Sequence, residues 1–76
     1  MSSTYHISIT DENLNVTTIN IHSYTTLNEI WKAYNLRKGY YSAFMLNDIQ
    51  VSTMDYNRSC SDLNIYETTK ITSIAI

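Results

Sequence analysis

What most constrains this chain is the order of its hydrophobic periods: two period-2 runs, one 3.6-residue stripe, then shorter alternating runs. Tyr5, Ile7 and Ile9 alternate with His6, Ser8 and Thr10, the pattern of a strand buried on one face. Asp11 to Asn15 supplies turn residues. Thr17, Ile19 and Ile21 then alternate with Thr18, Asn20 and His22, which predicts a second strand pairing antiparallel with the first as a hairpin. At Leu27 the period changes. Leu27, Ile30, Trp31 and Tyr34 fall at i, i+3, i+4 and i+7 and form one core-facing stripe of a helix. Thr25 or Thr26 supplies the N-cap, and Glu29, three residues after Thr26, fits a capping box. Lys38 and the only glycine of the chain, Gly39, end the helix. With Trp31 in the core, Trp31→Ala would cost roughly 3 to 5 kcal/mol.

After Gly39 the runs shorten. Phe44, Leu46, Ile49 and Val51 predict two brief strands around a turn at Asn47-Asp48, and the polar stretch from Tyr56 to Asp62 reads as loop. Asp62-Leu63-Asn64-Ile65 predicts a tight turn that anchors Leu63 and Ile65 before a closing strand, Lys70 to Ile76. The facing of that strand is open: either Ile71, Ser73 and Ala75 point to the core, or Thr72, Ile74 and Ile76 do. The order hairpin, helix, short strands, closing strand is that of an α+β fold, the β-grasp, with a mixed sheet of four to five strands packed on one main helix.

Three segments carry a family resemblance. Thr26-Leu27-x-x-Ile30-Trp31-x-Ala33-Tyr34-x-x-Arg37-x-Gly39 resembles the helix of SUMO proteins, and Phe44-Met45-Leu46-Asn47-Asp48-Ile49-Gln50-Val51 is similar to the strand-turn-strand that follows it. Ser61-Asp62-Leu63-Asn64-Ile65 with Thr68-Thr69-Lys70-Ile71 resembles the segment leading into the last strand of ubiquitin. Relative to SUMO, the connection from Gly39 to Phe44 is shorter and the loop from Ser52 to Ser61 longer.

The resemblance implies a ubiquitin-like domain with two candidate surfaces. One is the groove between the second strand and the helix, edged by Ile19, Asn20, Ile21, His22 and Arg37, where SUMO proteins accept a short hydrophobic peptide as an added strand. Asn20 and His22 stand where the resemblance implies lysines, so weaker binding or less acidic peptides are expected. Ile19 and Ile21 equally suit ordinary core positions, with Arg37 a solvated helix residue. The other surface is the outer sheet face, where Met45, Thr72 and Ile74 match the hydrophobic patch through which ubiquitin is recognised. Met45 and Ile74 equally suit packing against each other or against Tyr40 and Tyr41. The sequence closes on Ala75-Ile76, without the slim Gly-Gly pair that conjugation to a target requires. The expected function is therefore a non-conjugated protein-interaction module. The alternatives are a modifier whose Gly-Gly tail lies beyond this sequence, or a structural or viral accessory protein using the same fold.

Seventy-six residues allow one domain, 1–76, with one small core. Apolar residues at 43% are enough for folding. A net charge of −2, with only Lys32, Arg37 and Lys38 grouped on the helix, argues against nucleic-acid binding. No run has the length of a membrane span and no basic start precedes an apolar segment, so a cytoplasmic or nuclear monomer is expected.

The chemistry-bearing residues point away from catalysis. Cys60 is the only cysteine, which precludes an internal disulfide and a cysteine-ligated cluster, and it reads as a structural thiol despite Arg58 nearby. Asn15-Val16-Thr17 and Asn57-Arg58-Ser59 match the glycosylation pattern, which is meaningful only in a secreted protein. His6 and His22 lie on outward strand faces without the further ligands that zinc needs. Asp11-x-Asn13-x-Asn15 begins like a calcium loop, but Val16 and His22 stand where Gly and Glu are required, so it is a turn. One glycine cannot build a phosphate cradle, and a chain this small has no sizeable cleft for a catalytic triad. A non-enzyme without a cofactor is expected.

Overall fold

The computed structural model describes residues 4–76; positions 1–3 of the expected domain lie outside the described residues. The predicted hairpin forms from β1 (Thr4–Thr10) and β2 (Val16–His22), antiparallel, with Ile7 opposite Ile19 and Ile9 opposite Thr17. Its turn is organised by Asp11, whose carboxylate accepts the N–H groups of Asn13 and Asn15, both at 2.9 Å. The Asp11 N–H donates to the Asn15 carbonyl at 3.0 Å. The turn places exposed Leu14 at φ 66°, a left-handed conformation that disfavours a Cβ.

Helix α1 (Leu27–Lys38) starts and stops as its sequence dictates. Thr26 is the N-cap: its hydroxyl accepts the Glu29 N–H at 3.3 Å, while the Glu29 carboxylate accepts the Thr26 N–H at 3.2 Å. Gly39 ends the helix at φ 80°, and its N–H donates to the Asn35 carbonyl at 2.8 Å. Leu27, Ile30 and Tyr34 are buried, whereas Trp31 is only half-buried. The Lys38 ammonium reaches back to the hairpin turn and meets the Asp11 carboxylate at 2.7 Å. That contact, with the two backbone N–H groups, holds the Asp11 carboxyl at about 2, below the usual carboxylate range.

Beyond Gly39 the chain forms β3 (Ser42–Leu46), β4 (Ile49–Gln50) and β5 (Ile71–Ala75). Asn47 and Asp48, at φ 50° and 70°, make the two-residue hairpin loop between β3 and β4. The sheet order is β2-β1-β5-β3-β4. β5 runs parallel to β1, with Ile71 beside Ile9, and antiparallel to β3, with Ser73 opposite Phe44. The expected mixed sheet therefore has five strands, with the helix across one face.

The open facing of the last strand is settled by burial. Ile71 and Ser73 point inward and Thr72 and Ile74 outward, while Ala75 lies past the core and is exposed. A polar residue is tolerated at 73 because its hydroxyl meets the Tyr34 hydroxyl at 2.6 Å. Two expectations are corrected. β4 is only two residues long and Ile49 is exposed, with Val51 packing inward just after it. The stretch around Tyr56 is not plain loop: Thr53–Asn57 forms a 3-10 helix, and backbone bonds from Leu27 to Arg58 and from Cys60 to Thr25 tie the next residues to the start of α1.

The core is one cluster between sheet and helix, centred on Ile7, Ile9, Leu27, Ile30, Tyr34, Phe44, Ile65 and Ile71. The 62–65 turn, with Asn64 at φ 55°, buries Ile65 and half-buries Leu63 as expected. Burying one such aliphatic side chain is worth about 1.5–3 kcal/mol. Two or three of them match the net stability of about 5–15 kcal/mol typical of a whole domain.

Candidate functional site

The β2 edge and the outer sheet face have different characters. β2 is an edge strand, and period 2 turns the backbone groups of Thr18, Asn20 and His22 away from β1. Most of this edge is already engaged. The Arg37 guanidinium donates to the Thr18 carbonyl at 2.9 Å, and Thr25 takes up both backbone groups of His22 through its hydroxyl and its N–H. Among the described residues nothing hydrogen-bonds to the outward groups of Asn20, which lies between them.

The structure corrects the groove as read from sequence. Ile19 and Ile21 are 6% and 3% exposed, so they belong to the core and form no accessible rim. Asn20 is exposed, and His22 is half-buried, its ring stacked on Tyr24 at 4.8 Å. Arg37 is a bridge from the helix to the edge strand, not a freely solvated cation.

The outer face brings its predicted residues together. Met45 lies directly opposite Thr72, and Ile74 lies opposite Ala43 on the same face. Thr10 of β1 flanks Thr72 on the other side. Ile74 is 43% exposed, and Met45 and Thr72 are half-buried, so the strip is a shallow apolar surface on three adjacent strands. Lys70 and Asp48 pair at 2.9 Å, and Tyr41 stacks on Trp31 at 5.8 Å. Such a surface, with Met and Ile at its centre, adapts to an apolar partner.

The remaining reactive groups are placed structurally. Cys60 is fully buried, and burial pushes its thiol up to about 11, so the thiolate is scarce at neutral pH. His6 faces Asn20 and His22 faces Thr4 across the hairpin. Among the described residues no group of three or more His, Cys, Asp or Glu converges on one point. No helix is long and apolar enough to cross a membrane.

Sequence reasoning missed the surroundings of Trp31. Its indole N–H donates to the Ser42 carbonyl, Tyr41 stacks on one face and Tyr56 meets it edge-on at 6.1 Å. The available signal was Trp31 and Asn35 at i, i+4 with Tyr40-Tyr41 directly after the glycine cap.

No family's sequence model matches the chain, and no curated protein matches it by sequence. Solved structures do match by shape. A ubiquitin-like domain from tubulin-binding cofactor B aligns with a TM-score of 0.75 at 19% identity, over 100% of this chain and 93% of that one. A designed protein based on ubiquitin aligns with a TM-score of 0.76 at 12% identity, over 93% of this chain and 87% of that one. The chain thus has the ubiquitin-like β-grasp fold.

Proposed function

We propose that the chain is a non-conjugated protein-interaction module that docks its partner on the outer sheet face. The observation that carries this reading is the in-register placement of Met45, Thr72 and Ile74 as one exposed apolar strip. Nothing in the core or the turns requires Ile at position 74, where Thr or Lys would suit a solvated strand face equally well. The ubiquitin-like neighbour comes from a protein named for binding tubulin, which is in keeping with a domain that works by contacting other proteins. We place the chain nearest SUMO-like domains, on the strength of the capped helix from Thr26 to Gly39. The same reading makes it a monomeric non-enzyme of the cytoplasm or nucleus, with no cofactor, nucleic-acid or membrane requirement.

The β2 edge is the second docking mode, supported by the open backbone of Asn20. A peptide strand added there has to displace Arg37 from the Thr18 carbonyl first, which lowers its affinity. The test is capture of partners by the tagged protein from its source cells, washed under native or strongly denaturing conditions and compared with Ile74→Arg and Arg37→Glu variants. Docking on the face predicts partners lost on denaturation and lost with Ile74→Arg, while Arg37→Glu retains them. Adducts that survive denaturation would instead make the chain a covalent modifier, and capture indifferent to Ile74→Arg would remove the face.

A further inference from the structure

On the helix side, opposite the outer sheet face, a cleft of about 390 Å³ lies between α1 and the segment after Gly39. It is lined by Trp31, Lys32, Asn35, Leu36, Tyr40 and Tyr41. One wall is the Trp31–Tyr41 stack, with ring planes 21° apart. Leu36 is 85% exposed although it sits on a helix whose other face packs the core, so the cleft mouth is apolar.

Within this cleft sits an unpaired donor. Asn35 is 8% exposed; its Oδ1 accepts the Ser42 N–H at 3.0 Å, which fixes the orientation of the amide, and its Nδ2 has no partner. Native proteins rarely leave a buried amide N–H unmatched, so this position calls for an acceptor from outside the chain. On the neighbouring side of Trp31, the buried Ser42 hydroxyl is likewise without a partner. Lys32, the only charged residue of the lining, pairs with no carboxylate among the described residues. The open polar groups of the cleft are thus an amide donor and an ammonium donor beside aromatic rings.

We infer that this cleft is a docking site for an extended, proline-containing peptide that carries a carboxylate. A polyproline II segment makes no internal hydrogen bonds, so its carbonyls are free for the Asn35 amide. Prolines bring no N–H that would need an acceptor, and their flat rings pack on aromatic side chains. The carboxylate answers Lys32. An added β-strand fits poorly, because it needs alternating donors and acceptors along a sheet edge and this cleft contains none. The inference rests on the fold alone and not on the outer-face reading, so the two fail separately.

The probe is a blocked synthetic peptide of Pro-Pro-Glu repeats, titrated into the whole ¹⁵N-labelled chain and followed by chemical shifts. Saturable shifts are expected at the Trp31 indole N–H, the Asn35 side-chain amide and Gly39. Lys32→Glu and Tyr41→Ala, both at exposed positions, are each expected to weaken binding by about fivefold or more. Ile74→Ala is expected to leave it unchanged, and the amide spectrum of each variant verifies folding. A peptide of Pro-Pro-Lys repeats, binding equally well, would overturn the inference. So would shifts confined to Met45, Thr72 and Ile74, or no saturable shift at millimolar peptide.

Discussion

The buried hydroxyl pair between Tyr34 and Ser73 gives the sharpest quantitative prediction. The two oxygens lie 2.6 Å apart, 39 positions apart in sequence, in a region closed to water on the helix side by Tyr34 and on the sheet side by β5. Tyr34→Phe keeps the ring, and with it the edge-on contact to Phe44 at 5.5 Å, but strands the Ser73 hydroxyl in a dry site. A buried group left unsatisfied costs about 1–3 kcal/mol, and Ser73→Ala strands the Tyr34 hydroxyl at similar cost. Removing both partners leaves nothing stranded, so the double variant is expected to lose less than about 1 kcal/mol. For a domain of this size, 1 kcal/mol corresponds to about 4–8 °C in Tm. Each single variant is therefore expected to melt at least about 4 °C lower, with the double variant close to the parent. Urea unfolding at constant m-value measures all four proteins, and the cycle is expected to show coupling of about 1–3 kcal/mol. Additive losses, with coupling below about 0.5 kcal/mol, would mean that the two hydroxyls do not meet and that β5 faces the other way.

Three further perturbations follow from local geometry. Leu14→Gly removes an exposed side chain from a left-handed position and is expected to stabilise the domain by about 0.5–1 kcal/mol in urea melts; a loss of stability would contradict the φ of the turn. Trp31→Ala is expected to cost about 2 kcal/mol, less than the 3–5 kcal/mol of a fully buried Trp, because the ring is half-buried against Tyr41 and Tyr56; an unchanged Tm would detach it from both. Asp11, held at about 2 in the folded chain against about 3.9 unfolded, contributes stability that is present above about pH 4 and lost as pH falls toward 2. Tm is therefore expected to fall more steeply between pH 4 and pH 2 in the parent than in Asp11→Asn, and parallel curves would refute the Lys38 contact.

The elements legible in the sequence are those set by near neighbours. The helix announces itself through Thr26, Glu29 and Gly39, each acting within four positions of its partner. The β1–β2 hairpin does so through alternation and the Asp11 turn. What was not legible depends on partners far away in the chain. Ser73 looks like a solvent residue until Tyr34 is seen to satisfy it, which is why the facing of the last strand stayed open. The 3-10 helix at Thr53–Asn57 is held by the Ser52 cap and by Tyr56 accepting the Phe44 N–H, neither of which leaves a periodic trace. The site is legible in the same uneven way. Met45, Thr72 and Ile74 converge because strand register places them together, whereas Ile19 and Ile21, drawn from a resemblance to a groove, turn out to be the inward half of their strand. Arg37 was found, but its engagement of the Thr18 carbonyl is a tertiary fact.

The central claim, docking through the outer sheet face, is tested most directly by cross-saturation NMR on the labelled chain bound to a partner recovered under native conditions. Attenuation centred on Met45, Thr72 and Ile74, with Asn20 and Trp31 unaffected, is the predicted result. Attenuation along Asn20 and Arg37, or around Trp31 and Tyr41, with the sheet face silent, would contradict it.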